Sequence, residues 1–384
     1  MRVITAVCQK QTQMPSFEWL NRIKYKIKYL VGMKIMIEPF SWENWNQVYL
    51  HKKNKKRASL ERYGLRNLHS VASLDFIISK VHELYLKNQQ EVAVNAESVW
   101  VDGTPQVKFK SIDGSALNCE LADLLFIIHE MDNKNTTINF RAILLQGKCS
   151  EKHNLLPTGP STNKERKLLE SLDRNEYLYL YPGTRAYGEK IGKYKLGGEV
   201  IGLADCAKYL IMPKYERWTY NTPNYITPYV IGWPNKTSSN YLSNTVNYLD
   251  TILEKMILTK TMGKKIILTA KNHIDKQCEW SKMIYDLLNS YLPITMKGYD
   301  SQRRVFKSSL FDDNISATLA LMDNNHCDFI NNYAFNELPK GKGRFLYQRT
   351  LNLIGDYSGP IISTIFIQIK HKEGAIDRNF FEAD

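Results

Sequence analysis

The chain has 384 residues, and 43% of them are hydrophobic, which is enough apolar material for two or three domains with packed cores. Tyrosine (23), phenylalanine (14) and tryptophan (7) are plentiful, and this composition excludes a disordered chain. The 52 lysines and arginines exceed the 39 acidic residues. The resulting net charge of +13 favours a polyanionic partner, with nucleic acid ahead of an anionic membrane surface.

Membrane insertion and secretion are not indicated by the sequence. The first residues lack an apolar stretch long enough for a signal peptide, and no apolar run approaches the ~20 residues of a spanning helix. The six cysteines are scattered without a CxxC pair, which argues against structural zinc and is typical of reduced thiols. We therefore expect a cytoplasmic protein that does not bind a membrane.

Residues 1–68 are predicted to form a basic, mostly helical N-terminal region. Two basic clusters within it could hold a phosphate backbone while nearby tryptophans stack on bases, although a solvated surface is the alternative. The first cluster comprises Arg22, Lys24, Lys26 and Lys28. The second, which we predict to bind nucleic acid, comprises Lys52, Lys53, Lys55, Lys56 and Arg57.

Residues 69–212 are predicted to form the core. Apolar periodicity indicates a helix over 71–88 and another over 163–173. Apolar or β-branched runs bounded by polar turns predict strands at 92–101, 106–110, 121–129, 138–146 and 177–181. The tyrosines of the last strand, Tyr177–Tyr181, could line a substrate groove, but packing on the sheet is the favoured expectation.

Residues 213–240, rich in proline and tyrosine, are predicted to be a connector. Residues 241–384 are then expected to form a C-terminal α/β domain for sensing or partner binding. Its predicted helices cover 242–258 and 275–291, and its predicted strands cover 266–270 and 361–369. Because helices and strands alternate along the chain, the fold class is α/β or α+β.

Two apolar runs joined by a polar turn form the most informative segment. If they pair as an antiparallel hairpin centred between Lys134 and Asn135, the numbers of paired residues sum to 269, and Asp123 faces Gln146. Side chains alternate along a strand, so Gln146 and Lys148 share one face. A carboxylate, an amide and an ammonium group then converge at one end of the hairpin.

This set of groups suits phosphodiester hydrolysis assisted by Mg²⁺. Such a cation takes oxygen ligands, which Asp123 and the Gln146 carbonyl can supply. Lys148 could orient or deprotonate the attacking water, or stabilise the charge that develops on the phosphate. A further carboxylate is expected, and a regular strand would direct Glu120 to the opposite face. The candidates are Glu83, as a catalytic residue, Glu120, as a metal ligand, and also Glu91 and Glu97.

Residues 70–185, approximately, resemble the PD-(D/E)xK, or restriction-endonuclease-like, nuclease superfamily. The resemblance lies in the order of an amphipathic helix, a strand with Asp123, a turn and a strand with Gln146-x-Lys148. The Gln-x-Lys form is similar to variants in nuclease effectors of bacterial anti-phage systems. The resemblance implies a mixed central sheet flanked by helices and Mg²⁺- or Mn²⁺-dependent cleavage of DNA. It also implies a role in prokaryotic antiviral defence, with a second protein subunit as a further partner. Two departures are Ala122 in place of the motif proline and Gln146 in place of the acid.

Other interpretations stay open at this point. A second copy of the motif, Gln368-Ile-Lys370 preceded by Asp356, is less favoured because Asp356 lies in a turn-like segment. Since the usual acid is missing, the alternative function is a non-catalytic subunit that binds nucleic acid or a partner through a degenerate nuclease fold. The simplest interpretation is an ordinary core hairpin with solvated polar ends, and His129 and Glu130 are expected to be such solvated turn residues.

Overall fold

A computed structural model of the protein describes residues 38–53, 59–101, 103–183, 189–219, 222–234, 239–291, 305–311 and 359–372. Apart from Glu38, all of these residues belong to one compact unit, Pro39–Asp384. The architecture is mixed α/β, with a large mixed sheet flanked by helices.

Six helices lie in the described part of the chain: α1 (Trp42–Lys53), α2 (Leu60–Asn67), α3 (Val71–Leu86), α4 (Pro160–Ser171), α5 (Tyr248–Leu253) and α6 (Glu279–Asn289). The π-helical turn Glu254–Leu258 continues α5. Ser59 and Ser70 are N-caps of α2 and α3, because each hydroxyl accepts a hydrogen bond from a backbone N–H of the first turn. None of the helices in these segments has the length and apolar character needed to cross a bilayer.

The strands form two sheets. They are β1 (Val92–Val101), β2 (Gln106–Lys110), β3 (Ala116–Glu120), β4 (Leu124–Met131), β5 (Thr137–Ser150), β6 (Leu178–Tyr181), β7 (Gly192–Tyr194), β8 (Ala207–Pro213), β9 (Val230–Pro234), β10 (Leu242–Asn247), β11 (Lys264–Lys265), β12 (Val305–Phe311) and β13 (Thr364–His371). The large sheet has the order β10-β9-β8-β5-β4-β13-β1-β12, with β11 also paired to β5. The small antiparallel sheet has the order β3-β2-β6-β7.

The two faces of the large sheet carry separate cores. On one face, Trp45, Leu65 and Ile77 bring α1, α2 and α3 onto the sheet. On the other face, the small sheet, α4 and α6 pack through residues that include Leu168 and Met283. The sheet is therefore a middle layer between helices on one side and the small sheet with two helices on the other.

The predicted division at residues 68, 212 and 240 does not correspond to separate compact units. Strand β13, from the predicted C-terminal domain, lies between β1 and β4 in the large sheet. It pairs antiparallel with β1 and parallel with β4. Its apolar run is buried on both faces, which is typical of a central strand, but such a run does not specify the sheet that it joins.

Three predicted elements also differ from the structure. The segment 242–258 is strand β10, helix α5 and a π-helical turn instead of one helix, and the predicted strand at 266–270 is replaced by the short β11. The predicted strand at 121–129 instead begins at Leu124, after β3 has ended at Glu120. Between these two strands the chain passes from the small sheet to the large one.

Candidate active site

The hairpin of β4 and β5 has the predicted register. Leu124 pairs with Leu145 and Glu130 pairs with Asn139, so the paired numbers sum to 269 along the strands. The register shifts by one residue only at Met131, next to the turn. The predicted register is therefore confirmed. It could be predicted because the position of the turn determines the pairing of an antiparallel hairpin.

Asp123 and Gln146 are in direct contact at the open end of this hairpin. The backbone N–H of Asp123 donates to the carbonyl oxygen of Leu145, at 3.1 Å, which is one residue out of the ladder register that begins at Leu124. Its Oδ2 accepts hydrogen bonds from Gln146 Nε2, at 2.5 Å, and from the backbone N–H of Gly147, at 2.8 Å. Gln146 is only 1% exposed, and its buried Oε1 accepts no hydrogen bond from the residues that the structure describes. The site therefore contains one unsatisfied neutral oxygen.

Lys148 lies two residues farther along β5, on the face covered by α4. Its Nζ forms an ion pair with Glu165 Oε2 at 2.7 Å, and the two side chains are 10% and 4% exposed. The hydroxyl of Ser161, one turn earlier in α4, donates to Glu165 Oε1 at 2.8 Å. Lys148 and Glu165 are therefore held in a buried, oriented pair.

Helix α2 adds a carboxylate, Glu61, to the cluster. A Cβ on Gly147 would lie 3.0 Å from the Leu65 side chain, so the glycine allows α2 to pack directly on β5. Glu61 is in the first turn of this helix and accepts a hydrogen bond from the backbone N–H of Cys149. The packing of α2 thus places a carboxylate within electrostatic reach of Lys148.

Glu120 also belongs to the cluster, although a regular strand would have directed it to the opposite face. It ends β3 of the small sheet and is not in β4, so the alternation of a single strand does not apply to it. Its negative charge acts on both Asp123 and Glu61. The condition of a regular strand does not hold, because the chain changes sheets between Glu120 and Leu124.

Charge is unevenly balanced in the cluster. Burial raises the pKa of Asp123 well above its usual range, and the charges of Glu61, Glu120 and Glu165 raise it further against the opposing effect of Lys148. Burial likewise raises the pKa values of Glu61 and Glu120. Burial lowers the pKa of Lys148, but three carboxylates outweigh this effect and the net pKa is raised. Lys148 is therefore a cation at neutral pH, within a surplus of carboxylates.

The other acidic candidates lie elsewhere. Glu83 is on the exposed side of α3 and pairs with Lys80 at 2.8 Å, so it does not contribute to the site. Glu91 is an exposed residue before β1. Glu97 is buried in β1, where it pairs with Phe366 of β13. Phe366 in turn pairs with Ile127 of β4, so Glu97 is two strands away from β4.

Of the predicted nucleic-acid-binding residues, Lys52 and Lys53 form the C-terminal end of α1. Lys55, Lys56, Arg57 and the cluster at 22–28 lie outside the described residues. In the second motif copy, Lys370 pairs with Met131 at the opposite end of β4 from Asp123, and Asp356 is outside the described residues.

Glu61 and Glu165 were not among the sequence candidates. The N-cap Ser59 followed by an acid in the first turn marks the start of a helix around Glu61, but it does not show where that helix packs. In the described segments, no three His, Cys, Asp or Glu side chains are already arranged to hold a metal ion. The available donors are carboxylates together with the amide oxygen of Gln146.

Comparisons of this chain with family models, with curated proteins and with solved structures find no match. The function is therefore inferred from the geometry and chemistry of the cluster together with the motif resemblance.

Proposed function

We propose that the protein is a metal-dependent nuclease that hydrolyses phosphodiester bonds, with DNA as the favoured substrate. The observation that carries the proposal is the contact of Asp123 with Gln146 beside the buried cation Lys148 at the open end of the hairpin. The order of α3, β1, β4, β5, α4 and the parallel strand β8 supports a restriction-endonuclease-like core, in which β13 would be an addition between β1 and β4. A role in prokaryotic antiviral defence is proposed from the motif resemblance alone.

The donors suit Mg²⁺ or Mn²⁺. Both ions prefer oxygen ligands, and Asp123, Glu120 and the unsatisfied Gln146 Oε1 are oxygen donors. Because Gln146 now directs Nε2 at Asp123, a cation held by both residues requires the amide to present Oε1 instead. When bound, the ion would neutralise phosphate charge and lower the pKa of a water.

The protein's own groups then have distinct roles. Lys148 remains protonated, because surrounding carboxylates raise its pKa, so it stabilises developing negative charge and does not act as the base. Glu165 holds the Lys148 ammonium in place. The raised pKa of Glu61 suits this carboxylate to accept a proton from the attacking water.

Plasmid degradation in Mg²⁺ or Mn²⁺ tests the proposal, with the Lys148→Ala variant compared with wild type. Loss of cleavage is expected in this variant. Lys208→Ala is the control, because Lys208 is a half-buried lysine of the neighbouring strand β8 and lies outside the carboxylate cluster. Cleavage at the wild-type rate by a folded Lys148→Ala protein would end the proposal.

One observation favours a second candidate, a non-catalytic subunit that binds nucleic acid or a partner. Asp123 is already bonded to Gln146, and Lys148 is already paired with Glu165, so these groups have partners without any cation. Calorimetric titration with Mg²⁺ and Mn²⁺ separates the two candidates. Heat of binding that disappears in Asp123→Asn supports the nuclease, whereas salt-dependent DNA binding without cation binding supports the subunit.

A further inference from the structure

The outer face of the small sheet carries a row of three tyrosines, of which Tyr177 is exposed and Tyr179 and Tyr181 are half-buried. In β6, Leu178 and Leu180 point into the core, and the alternation of side chains places Tyr177, Tyr179 and Tyr181 on the other face. Tyr177 is 40% exposed. Leu178 and Leu180 therefore make the packing contacts with the core, and the tyrosine rings lie on the opposite face of the strand.

Lysines lie over each of these rings. Lys193 Nζ is 4.9 Å from the centre of the Tyr177 ring, Lys190 Nζ is 5.3 Å from that of Tyr179, and Lys108 Nζ is 5.2 Å from that of Tyr181. All three lysines are exposed. In the sheet register, Tyr179 lies between Lys108 of β2 and Lys193 of β7. Aromatic rings and ammonium groups thus alternate across an exposed surface.

The sheet register connects this face to the candidate active site through Gln106, which is itself only 6% exposed. Gln106 of β2 pairs with Tyr181 on one side and with Glu120 on the other. Glu120 shares the outer-facing parity of these residues and acts electrostatically on Asp123. The row that begins at Tyr177 therefore ends beside the carboxylate cluster.

We propose that the outer face of the small sheet binds single-stranded nucleic acid, with bases stacked on Tyr177, Tyr179 and Tyr181 and phosphates contacted by Lys108, Lys190 and Lys193. Stacking of bases on aromatic side chains within a basic groove is the usual basis of sequence-tolerant single-strand binding. Delivery of the strand to Asp123 rests on the proposed nuclease function. Binding by the face itself does not depend on that function.

The spacing of the rings favours a single strand over a duplex. Alternate residues along a strand are about 6.8 Å apart, twice the ~3.4 Å between stacked nucleotides in one strand of a duplex. Only an unpaired, unstacked strand can therefore place successive bases on successive tyrosines. The exposed lysines give the face the charge complementary to a phosphate backbone, while the nearby Lys110 is paired with Glu176 at 3.0 Å.

The test is fluorescence anisotropy with labelled 20-nucleotide oligo(dT) and oligo(U) in buffer containing EDTA, so that no cleavage interferes. The variant Tyr177→Leu/Tyr179→Leu/Tyr181→Leu keeps apolar bulk but removes the rings, and we expect its Kd to rise at least ten-fold. The corresponding triple Tyr→Phe variant keeps the rings and should bind within two-fold of wild type. The matched control is Tyr225→Leu, which removes a tyrosine that is 74% exposed outside this sheet.

The lysines are tested by the salt dependence of binding. The variant Lys108→Gln/Lys193→Gln should lower the slope of log K against log salt by about 1.4, or about 0.7 for each phosphate of a single strand that is no longer neutralised. Lys134→Gln, in the exposed turn between β4 and β5, should leave the slope unchanged. Weaker binding of either oligonucleotide supports the inference, and the one that wild type binds more tightly identifies the preferred probe.

Several outcomes would overturn the inference. One is a triple leucine variant that melts like wild type and has a Kd within two-fold of the wild-type value. Another is that polyglutamate displaces the oligonucleotide as effectively as a single-stranded competitor does. If the triple variant fails to fold, Tyr177→Leu, outside the strand, is measured instead, and an unchanged Kd counts against the inference. Binding through this face without cleavage in Mg²⁺ or Mn²⁺ refutes the nuclease and supports the surface. Cleavage by wild type, together with a Kd that does not change in the tyrosine variants, supports the nuclease and refutes binding by this face.

Discussion

Replacing Lys148 should destabilise the protein more than replacing its ion-pair partner, although both changes remove the same 2.7 Å ion pair. Lys148→Met leaves Glu165 buried without its cation, and breaking a buried pair in this way costs about 3–5 kcal/mol. Glu165→Gln leaves Lys148 beside Glu61 and Asp123 and removes one repulsive charge from them. Its cost should therefore be about 1.5 kcal/mol, at the low end for a charge-assisted hydrogen bond.

The double variant Lys148→Met/Glu165→Gln sharpens this prediction. It removes the unpaired carboxylate that the single Lys148→Met change creates, so it should be more stable than that single variant. Urea denaturation of the four proteins gives the free energies of unfolding and the coupling between the two sites. In thermal melts, the effects correspond to a Tm shift of about 1–2 °C per kcal/mol for a unit of this size.

The pH dependence provides an independent check. Carboxyl groups with a raised pKa in the native state bind more protons than in the unfolded state, so stability falls as pH rises above the ordinary carboxyl pKa. The cost of Lys148→Met should therefore be larger at pH 8 than at pH 5. A double variant less stable than Lys148→Met, or a cost independent of pH, would refute the argument that surplus carboxylate charge dominates this site.

Three further predictions concern the cation and the buried network at the other end of β4. Gln146→Glu should lower stability without a cation, because it adds a buried charge, and should tighten Mg²⁺ binding measured by calorimetry. Mg²⁺ should raise the Tm of wild type more at pH 8 than at pH 5.5, because the raised pKa of Asp123 makes protons compete with the ion for its carboxylate. In the Asp123→Asn variant, the increase of Tm caused by Mg²⁺ should disappear. Tyr85→Phe should lower the free energy of unfolding, measured by urea denaturation, by about 1.5–3 kcal/mol. The change removes the 2.7 Å hydrogen bond from Tyr85 to buried Glu130, so that Glu130 keeps its contact with His371. An unchanged free energy of unfolding would contradict this.

Local patterns were sufficient for much of the fold. Strands 92–101 and 106–110 were predicted with the bounds that the structure has, because a run of β-branched and apolar residues between polar turns is a local signal. The hairpin register was correct for the same reason. Local reasoning was wrong for His129 and Glu130, which were expected in a solvated turn. Both are buried, because β4 continues to Met131 and β13 pairs alongside it.

The sequence by itself therefore determined that Asp123 and Gln146 meet at one end of a hairpin, with Lys148 two residues farther along the same strand. Two adjacent strands and their turn set that pairing through the two-residue period of a β-strand. Only the tertiary structure decided which carboxylates surround them. Glu61 and Glu165 arrive on helices from opposite faces of the sheet, and Glu120 arrives from a second sheet. The packing of two separate cores controls those approaches, and a local pattern of residues does not encode how distant elements pack together.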